Sequence, residues 1–296
     1  MAIAHEFDYF KPSSIDEAIN LLNKYGAKAR ILSGGTDLVV RIKDGFETPD
    51  AVIDIKGLDE LKVLDFKDNK LIVGTLTTFN ELIDSEVVKE KFPLLWESAK
   101  SVASMGIRNR ATMVGNICSA VPSLDSGPAL LLYEATVVVK GKDGERRIPI
   151  EEWFLGPRKT ALKEGELVEY IEIPLPQKKH AGCYVKLGRY NGEDLAQVGV
   201  GVLALEGNEY RVAFCAVGPK PTRAKKIEEL LNGKELSDSL IEEAKKLVEE
   251  EISPITDIRA TKEYRMHMAK VMLDRALKAA VGRLNGKGPD YGTRLI

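Results

Sequence analysis

The residue types that could do chemistry concentrate first in Arg30-Ile31-Leu32-Ser33-Gly34-Gly35-Thr36-Asp37. The apolar stretch Ala29 to Leu32 reads as a buried strand, and Leu38 to Ile42 as a short helix. Between them, glycines that lack a Cβ and tolerate positive φ would let consecutive amide N–H groups converge on an anion. The start of the helix adds a favourable dipole. Ser33 and Thr36 could donate hydroxyls to a pyrophosphate, whereas Asp37 would be repelled by one and is expected to face away and cap the helix. The same string also serves as a tight strand-to-helix turn with no ligand, and for this segment alone both readings stand.

A second polar segment, Ile107-Arg108-Asn109-Arg110-Ala111-Thr112-Met113-Val114-Gly115-Asn116-Ile117, precedes an apolar helix. Loops of this kind beside a core often carry function. Asp125, ahead of Ser126-Gly127-Pro128, fits a helix N-cap or a carboxylate that accepts hydrogen bonds from sugar hydroxyls. Considered alone, the cap is favoured. Gly199-Val200-Gly201-Val202-Leu203-Ala204 matches the dinucleotide pattern G-x-G-x-x-A, but that motif needs a helix after it. Here it lies in a β-branched run ending in a Glu-Gly-Asn turn, so it reads as a strand. No phosphate-binding G-x-x-x-x-G-K-[ST], hydrolase G-x-S-x-G or zinc-protease H-E-x-x-H string occurs.

The three cysteines, Cys118, Cys183 and Cys215, and the three histidines, His5, His180 and His267, are scattered. That spacing suits neither an iron–sulfur cluster nor structural zinc, so redox chemistry would need an organic cofactor. With 43 basic and 45 acidic residues there is no basic stripe for nucleic acid. The longest apolar run, Leu195 to Leu205, is far short of the roughly 20 residues of a membrane span. The opening Met-Ala-Ile-Ala-His-Glu-Phe-Asp does not resemble a secretion signal, and a cytoplasmic protein is expected.

The elements that must position these residues fall into three stretches. Residues 1–56 form a small α/β unit, with Ser14 and Glu17 as a capping box and Gly26 as a C-cap. Residues 57–175 repeat the mixture, with a second capping box at Thr78 and Glu81. In this stretch a helix is expected from Pro93 to Met105, another near Gly127 to Tyr133, and a hairpin around Gly141-Lys142-Asp143-Gly144. Residues 176–296 run from strands into three amphipathic helices, which indicates a separate α+β domain. Its helical Lys and Glu read as solvated faces, and Asn285 to Ile296 as a loose surface extension or a partner contact.

Taken in order, Leu32-Ser-Gly-Gly-Thr-Asp-Leu38, Ile107-Arg-Asn-Arg-Ala-Thr-Met-Val-Gly-Asn116 and Leu124-Asp-Ser-Gly-Pro-Ala-Leu130 resemble the FAD subunit of the xanthine dehydrogenase and carbon monoxide dehydrogenase family. Phe154-Leu-Gly-Pro-Arg-Lys-Thr160, Ile171-Glu-Ile-Pro174 and Lys186-Leu-Gly-Arg189 with Asp194-Leu-Ala196 extend the likeness over most of the chain. The resemblance implies an α+β fold: two FAD-clasping subdomains of the PCMH (vanillyl-alcohol oxidase-like) type, then an α+β C-terminal domain. It places Ile31, Leu32, Ser33, Gly34, Gly35, Thr36 and Asp37 in a first pyrophosphate loop and Thr112, Gly115 and Asn116 in a second. It sets Asp125 beside ribityl or ribose hydroxyls, Val102 on a helix facing the adenine, and Val168 and Lys186 near the isoalloxazine ring.

The implied function is electron transfer from iron–sulfur clusters on a partner, through non-covalent FAD, to NAD, a quinone or another acceptor. Molybdopterin and the clusters would lie on partner subunits only. No residue reads as a catalytic acid or base. A stand-alone flavin oxidase or dehydrogenase and a non-catalytic binding protein are the alternatives.

Overall fold

The computed structural model describes residues 3, 5–190 and 194–296, so part of the opening stretch examined for a secretion signal lies outside it. The first unit contains β1 (Asp8–Phe10), α1 (Ile15–Tyr25), β2 (Ala29–Leu32), α2 (Leu38–Lys43) and β3 (Ala51–Asp54). Its three strands pair in parallel in the order β1-β3-β2. Ile15, Ala18, Ile19 and Leu22, on one stripe of α1, are buried, as their helical spacing requires. The capping box at Ser14 forms only by half. The Ser14 hydroxyl accepts from the Glu17 N–H at 3.1 Å, but the Glu17 carboxylate turns to the N–H and hydroxyl of Ser13 instead.

The second unit opens with β4 (Leu64–Lys67) and β5 (Lys70–Gly74) and then becomes helical. Its helices are α3 (Phe79–Asp84), α4 (Glu86–Lys91), α5 (Pro93–Lys100), α6 (Met105–Arg108), α7 (Met113–Ser119) and α8 (Ser126–Leu132). The chain returns through β6 (Thr136–Gly141), β7 (Gly144–Pro149), α9 (Ile150–Trp153), a small pair β8 (Phe154–Gly156) and β9 (Lys159–Thr160), and β10 (Leu167–Pro174). Five strands form an antiparallel sheet ordered β4-β5-β10-β6-β7. The Thr78–Glu81 capping box is complete. The expected helix from Pro93 to Met105 is broken: it stops at Lys100, and Ser104 caps the new helix α6. The Arg108 guanidinium donates to the carbonyls of Val102 and Ala103 at 2.8 and 2.9 Å, satisfying them outside a helix.

The third unit contains β11 (His180–Leu187), β12 (Val198–Leu205), β13 (Glu209–Cys215), β14 (Thr222–Arg223), α10 (Lys225–Leu231), α11 (Asp238–Glu251) and α12 (Lys262–Leu284). The four strands are antiparallel in sequence order. Alternate side chains serve different cores. Cys183, Val185, Val200 and Val202 pack with the three helices, while Tyr184, Leu203, Leu205 and Cys215 join the core of the second unit. Every residue of β12 is therefore buried. The G-x-G string lies in this strand, as expected, and packing explains its glycines. A Cβ at Gly199 would stand 2.4 Å from the Cys215 sulfur, and one at Gly201 3.0 Å from Pro128 of α8.

Two expectations are corrected here. The helical charges are not all solvated: Glu228 and Arg265 are buried, Glu228 paired with Arg223 and Arg265 with Asp257. The tail is not loose. Arg283 donates to the carbonyls of Pro289 and Asp290 and lies 4.1 Å from the centre of the Tyr291 ring. The Tyr291 hydroxyl accepts from the Gly182 N–H, and the Gly292 N–H donates to Glu97 of α5.

Candidate cofactor site

Strand β2 delivers the chain to Ser33 beside β3, where Leu32 is in register with Asp54. Gly35 has a φ of +77°, a conformation that costs a side-chain-bearing residue strain. Gly34 is required by a close approach: a Cβ there would lie 2.0 Å from the Arg110 carbonyl oxygen of the second loop. Among the described residues nothing accepts a hydrogen bond from the backbone N–H groups of Gly34, Gly35, Thr36 or Asp37. These donors stand partly exposed at the head of α2, where N–H groups have no intrahelical partner, so they are open to an outside acceptor. Asp37 is exposed, as expected, but its carboxylate does not cap α2. Ile31 packs partly against the core of the first unit.

The two polar loops meet directly. The Ser33 hydroxyl lies 3.2 Å from that of Thr112 and 3.2 Å from the Thr75 carbonyl. Thr112 is committed internally, since its hydroxyl also accepts the Gly115 N–H at 3.0 Å as the cap of α7. Gly115 has thus given its donor to Thr112. Asn116 differs: its carbonyl accepts from the Ser126 hydroxyl at 2.7 Å, and its NH2 has no acceptor among the described residues. Thr75 extends this cluster to Val168, because its hydroxyl donates to the carbonyls of Val168 and Glu169 where β10 bulges.

Asp125, Lys186 and Val102 form a second cluster, joined to the first through Ser126. Asp125 stands at the start of α8 but makes no cap. One carboxylate oxygen accepts from the Tyr184 hydroxyl at 2.7 Å, the other from the Lys186 ammonium at 2.8 Å. Burial pushes the Asp125 carboxyl above its ordinary pKa, and Lys186 and Tyr184 pull it back only in part. Lys186 also donates to the Ser101 carbonyl at 2.8 Å, and its side chain is largely buried. Val102 is buried next to Ser101, in the turn after α5 and not on a helix. The polar bonds of Val168 and Lys186 run to different clusters. The Cys118 thiol, pushed up to about 12 by burial, remains protonated at neutral pH, and no metal-binding group of side chains occurs among the described residues.

Tyr184 and Thr75 escaped the sequence reading. Tyr184 carried one usable signal: it stands two residues from Lys186, and positions i and i+2 of a strand share a face. Thr75 carried none, because its role arises from contacts 93 residues away.

Residues 5–176 match the family described as FAD binding domain in molybdopterin dehydrogenase, and residues 183–280 match the CO dehydrogenase flavoprotein C-terminal domain. The chain belongs to this flavoprotein family. The carbon monoxide dehydrogenase medium chain of Hydrogenophaga pseudoflava is 33% identical over 95% of this chain and 99% of its own length. The glyceraldehyde dehydrogenase medium chain of Sulfolobus acidocaldarius is 32% identical over 92% and 98%. A solved structure of the Hydrogenophaga enzyme, lacking the Mo-pyranopterin moiety of its cofactor, superposes with a TM-score of 0.91 over 96% of this chain and 99% of that one. The expected α+β flavoprotein fold is thereby borne out, and the chain is an FAD-dependent oxidoreductase subunit.

Proposed function

We propose that residues 1–56 and 57–175 clasp one non-covalently bound FAD, with the third domain, residues 176–296, closing the site from the side of β11. The run of four unpartnered N–H groups from Gly34 to Asp37 carries this reading, since a pyrophosphate supplies acceptors of the kind they lack. In this reading Ser33 and Thr112 lock the two loops, the Asn116 amide and Thr36 hydroxyl donate to the cofactor, and Ile31, Leu32 and Gly115 shape the cradle. Asp125 accepts from its sugar or ribityl hydroxyls, and Val102 and Val168 supply apolar wall. Bound FAD would take up and release electrons, while the chain binds, orients and shields it. The electrons would come from iron–sulfur clusters on a partner subunit, itself served by a molybdopterin-bearing subunit, and pass to NAD, a quinone or another acceptor. The medium-chain names of the relatives support that assembly.

Gly35→Val tests the site. A β-branched residue at positive φ would distort the N–H run, so FAD affinity should fall at least tenfold while the apoprotein melts within a few degrees of wild type. Full flavin occupancy in a normally folded variant would reduce the loop to a structural turn. Purification from the native host should bring down two further subunits and molybdenum; a lone chain that oxidises a small substrate would overturn the electron-transfer assignment.

A further inference from the structure

We propose that Tyr184 is a positioning residue that holds Asp125 ionised and oriented toward the flavin, an inference that rests on the reading of Asp125 as a flavin ligand. The geometry ties Tyr184 at both ends. Its backbone N–H donates to Glu97 of α5 at 2.7 Å, and its hydroxyl donates to Asp125 at the head of α8 at 2.7 Å. The phenol crosses the space over Gly199, where a Cβ would come within 2.5 Å of its oxygen, so the ring cannot be displaced toward β12. The hydroxyl thus reaches the carboxylate from a side chain fixed by a backbone anchor and a packed wall.

Among the described residues the groups around Asp125 are few. Tyr184 and Lys186 reach it from β11, and the Cys215 thiol of β13 lies 3.4 Å from the Tyr184 hydroxyl. The Ser101 carbonyl after α5 shares Lys186. Burial, and then Asp125, hold the phenol well above its ordinary pKa, and burial pushes the Cys215 thiol up to about 12, so neither ionises near neutrality. Asp125 is raised from the carboxylate side and is the group that changes charge as the pH falls. A carboxylate accepts hydroxyl hydrogen bonds better than a carboxylic acid. Flavin affinity should therefore weaken as pH falls through the folded-state pKa of Asp125, and the Tyr184 donor sets where that happens.

The test uses the full chain stripped of flavin, with FAD affinity measured by fluorescence titration across pH 4–9. Tyr184→Phe should move the acid midpoint upward by about one pH unit or more, the size of a hydrogen bond to a charged group. It should also lower affinity several-fold near that midpoint. Site-specific 3-fluorotyrosine at 184, a stronger donor of almost the same shape, should move the midpoint downward and keeps the question answerable if the phenylalanine variant folds poorly. Unmoved midpoints in both would overturn the positioning role. If Asp125→Ala folds and binds FAD with wild-type affinity at every pH, the assignment of Asp125 itself fails. A pH-sensitive Asp125 with an indifferent Tyr184 sinks only the inference drawn here.

Discussion

Two carboxylates cross the same junction between the second and third units, and they are furnished differently. Glu97 of α5 accepts from both terminal nitrogens of Arg283, from the Tyr184 N–H and from the Gly292 N–H, at 2.7–3.0 Å. A carboxylate offers about four acceptor positions, and at Glu97 all are occupied from within the chain. Among the described residues Asp125 receives only the Tyr184 hydroxyl and the Lys186 ammonium. Both residues are buried, so burial does not separate them. Acceptor capacity does: a saturated carboxylate is a fastening, and a half-saturated one keeps acceptor positions open. Tyr184 serves both, through its backbone at one and its side chain at the other.

The comparison breaks most forcefully at Glu97. Glu97→Gln keeps the shape but leaves Arg283 buried with no opposing charge. Burial by itself would lower the Arg283 guanidinium, and the hydrogen bonds and charge of Glu97 more than offset it. Removing one partner of such a pair costs about 3–5 kcal/mol. Urea unfolding of the apoprotein should report that loss, with FAD affinity of the folded fraction within about threefold of wild type. A larger affinity loss at unchanged stability would mean that Glu97 belongs to the cofactor site.

At Asp125 the expected balance is reversed. Asp125→Asn should cost roughly 1–3 kcal/mol of stability, since the amide is uncharged and offers one oxygen where Tyr184 and Lys186 each used their own. FAD affinity should fall about tenfold to hundredfold, equivalent to the roughly 1.5–3 kcal/mol of a charged hydrogen bond. Adding Lys186→Met removes the unpaired cation, so the double variant should regain most of the stability and none of the affinity. Joint recovery of both would show that Asp125 acts on flavin only by holding the fold.

The sequence displayed these two carboxylates unequally. Asp125 stood out because it sits in a string shared with a family, although its cap reading was reasonable: Asp before Ser-Gly-Pro has the right local spacing. Its true partners are 59 and 61 residues away, and no local rule reaches that far. Glu97 was invisible, one glutamate within an amphipathic helix, because its partner Arg283 is 186 residues distant. Local signals served the fold well wherever the physics is local. The Thr78 capping box, the strands on either side of Lys142-Asp143 and the G-x-G strand all appear where their spacing put them. The break after Lys100 is hard to read locally because the carbonyls of Val102 and Ala103 are satisfied by the side chain of Arg108 in the next helix. The tail was misjudged because glycine and proline content describes a chain that can bend, not one that lacks a partner.

The tail also gives the gentlest way to separate the two carboxylates. The Tyr291 hydroxyl accepts the Gly182 N–H at 3.2 Å, two residues before Tyr184 on β11. Tyr291→Phe leaves the ring stacked on Arg283 and removes only that acceptor. A neutral hydrogen bond contributes about 0.5–1.5 kcal/mol, so the apoprotein should melt a few degrees lower at most. The four bonds to Glu97 are untouched, Tyr184 keeps its backbone anchor, and FAD affinity should therefore stay at the wild-type value. If affinity falls while the melting temperature holds, strand β11 carries displacement from the tail to Asp125, and the fastening and the ligand site would have to be treated as one unit coupled through Tyr184.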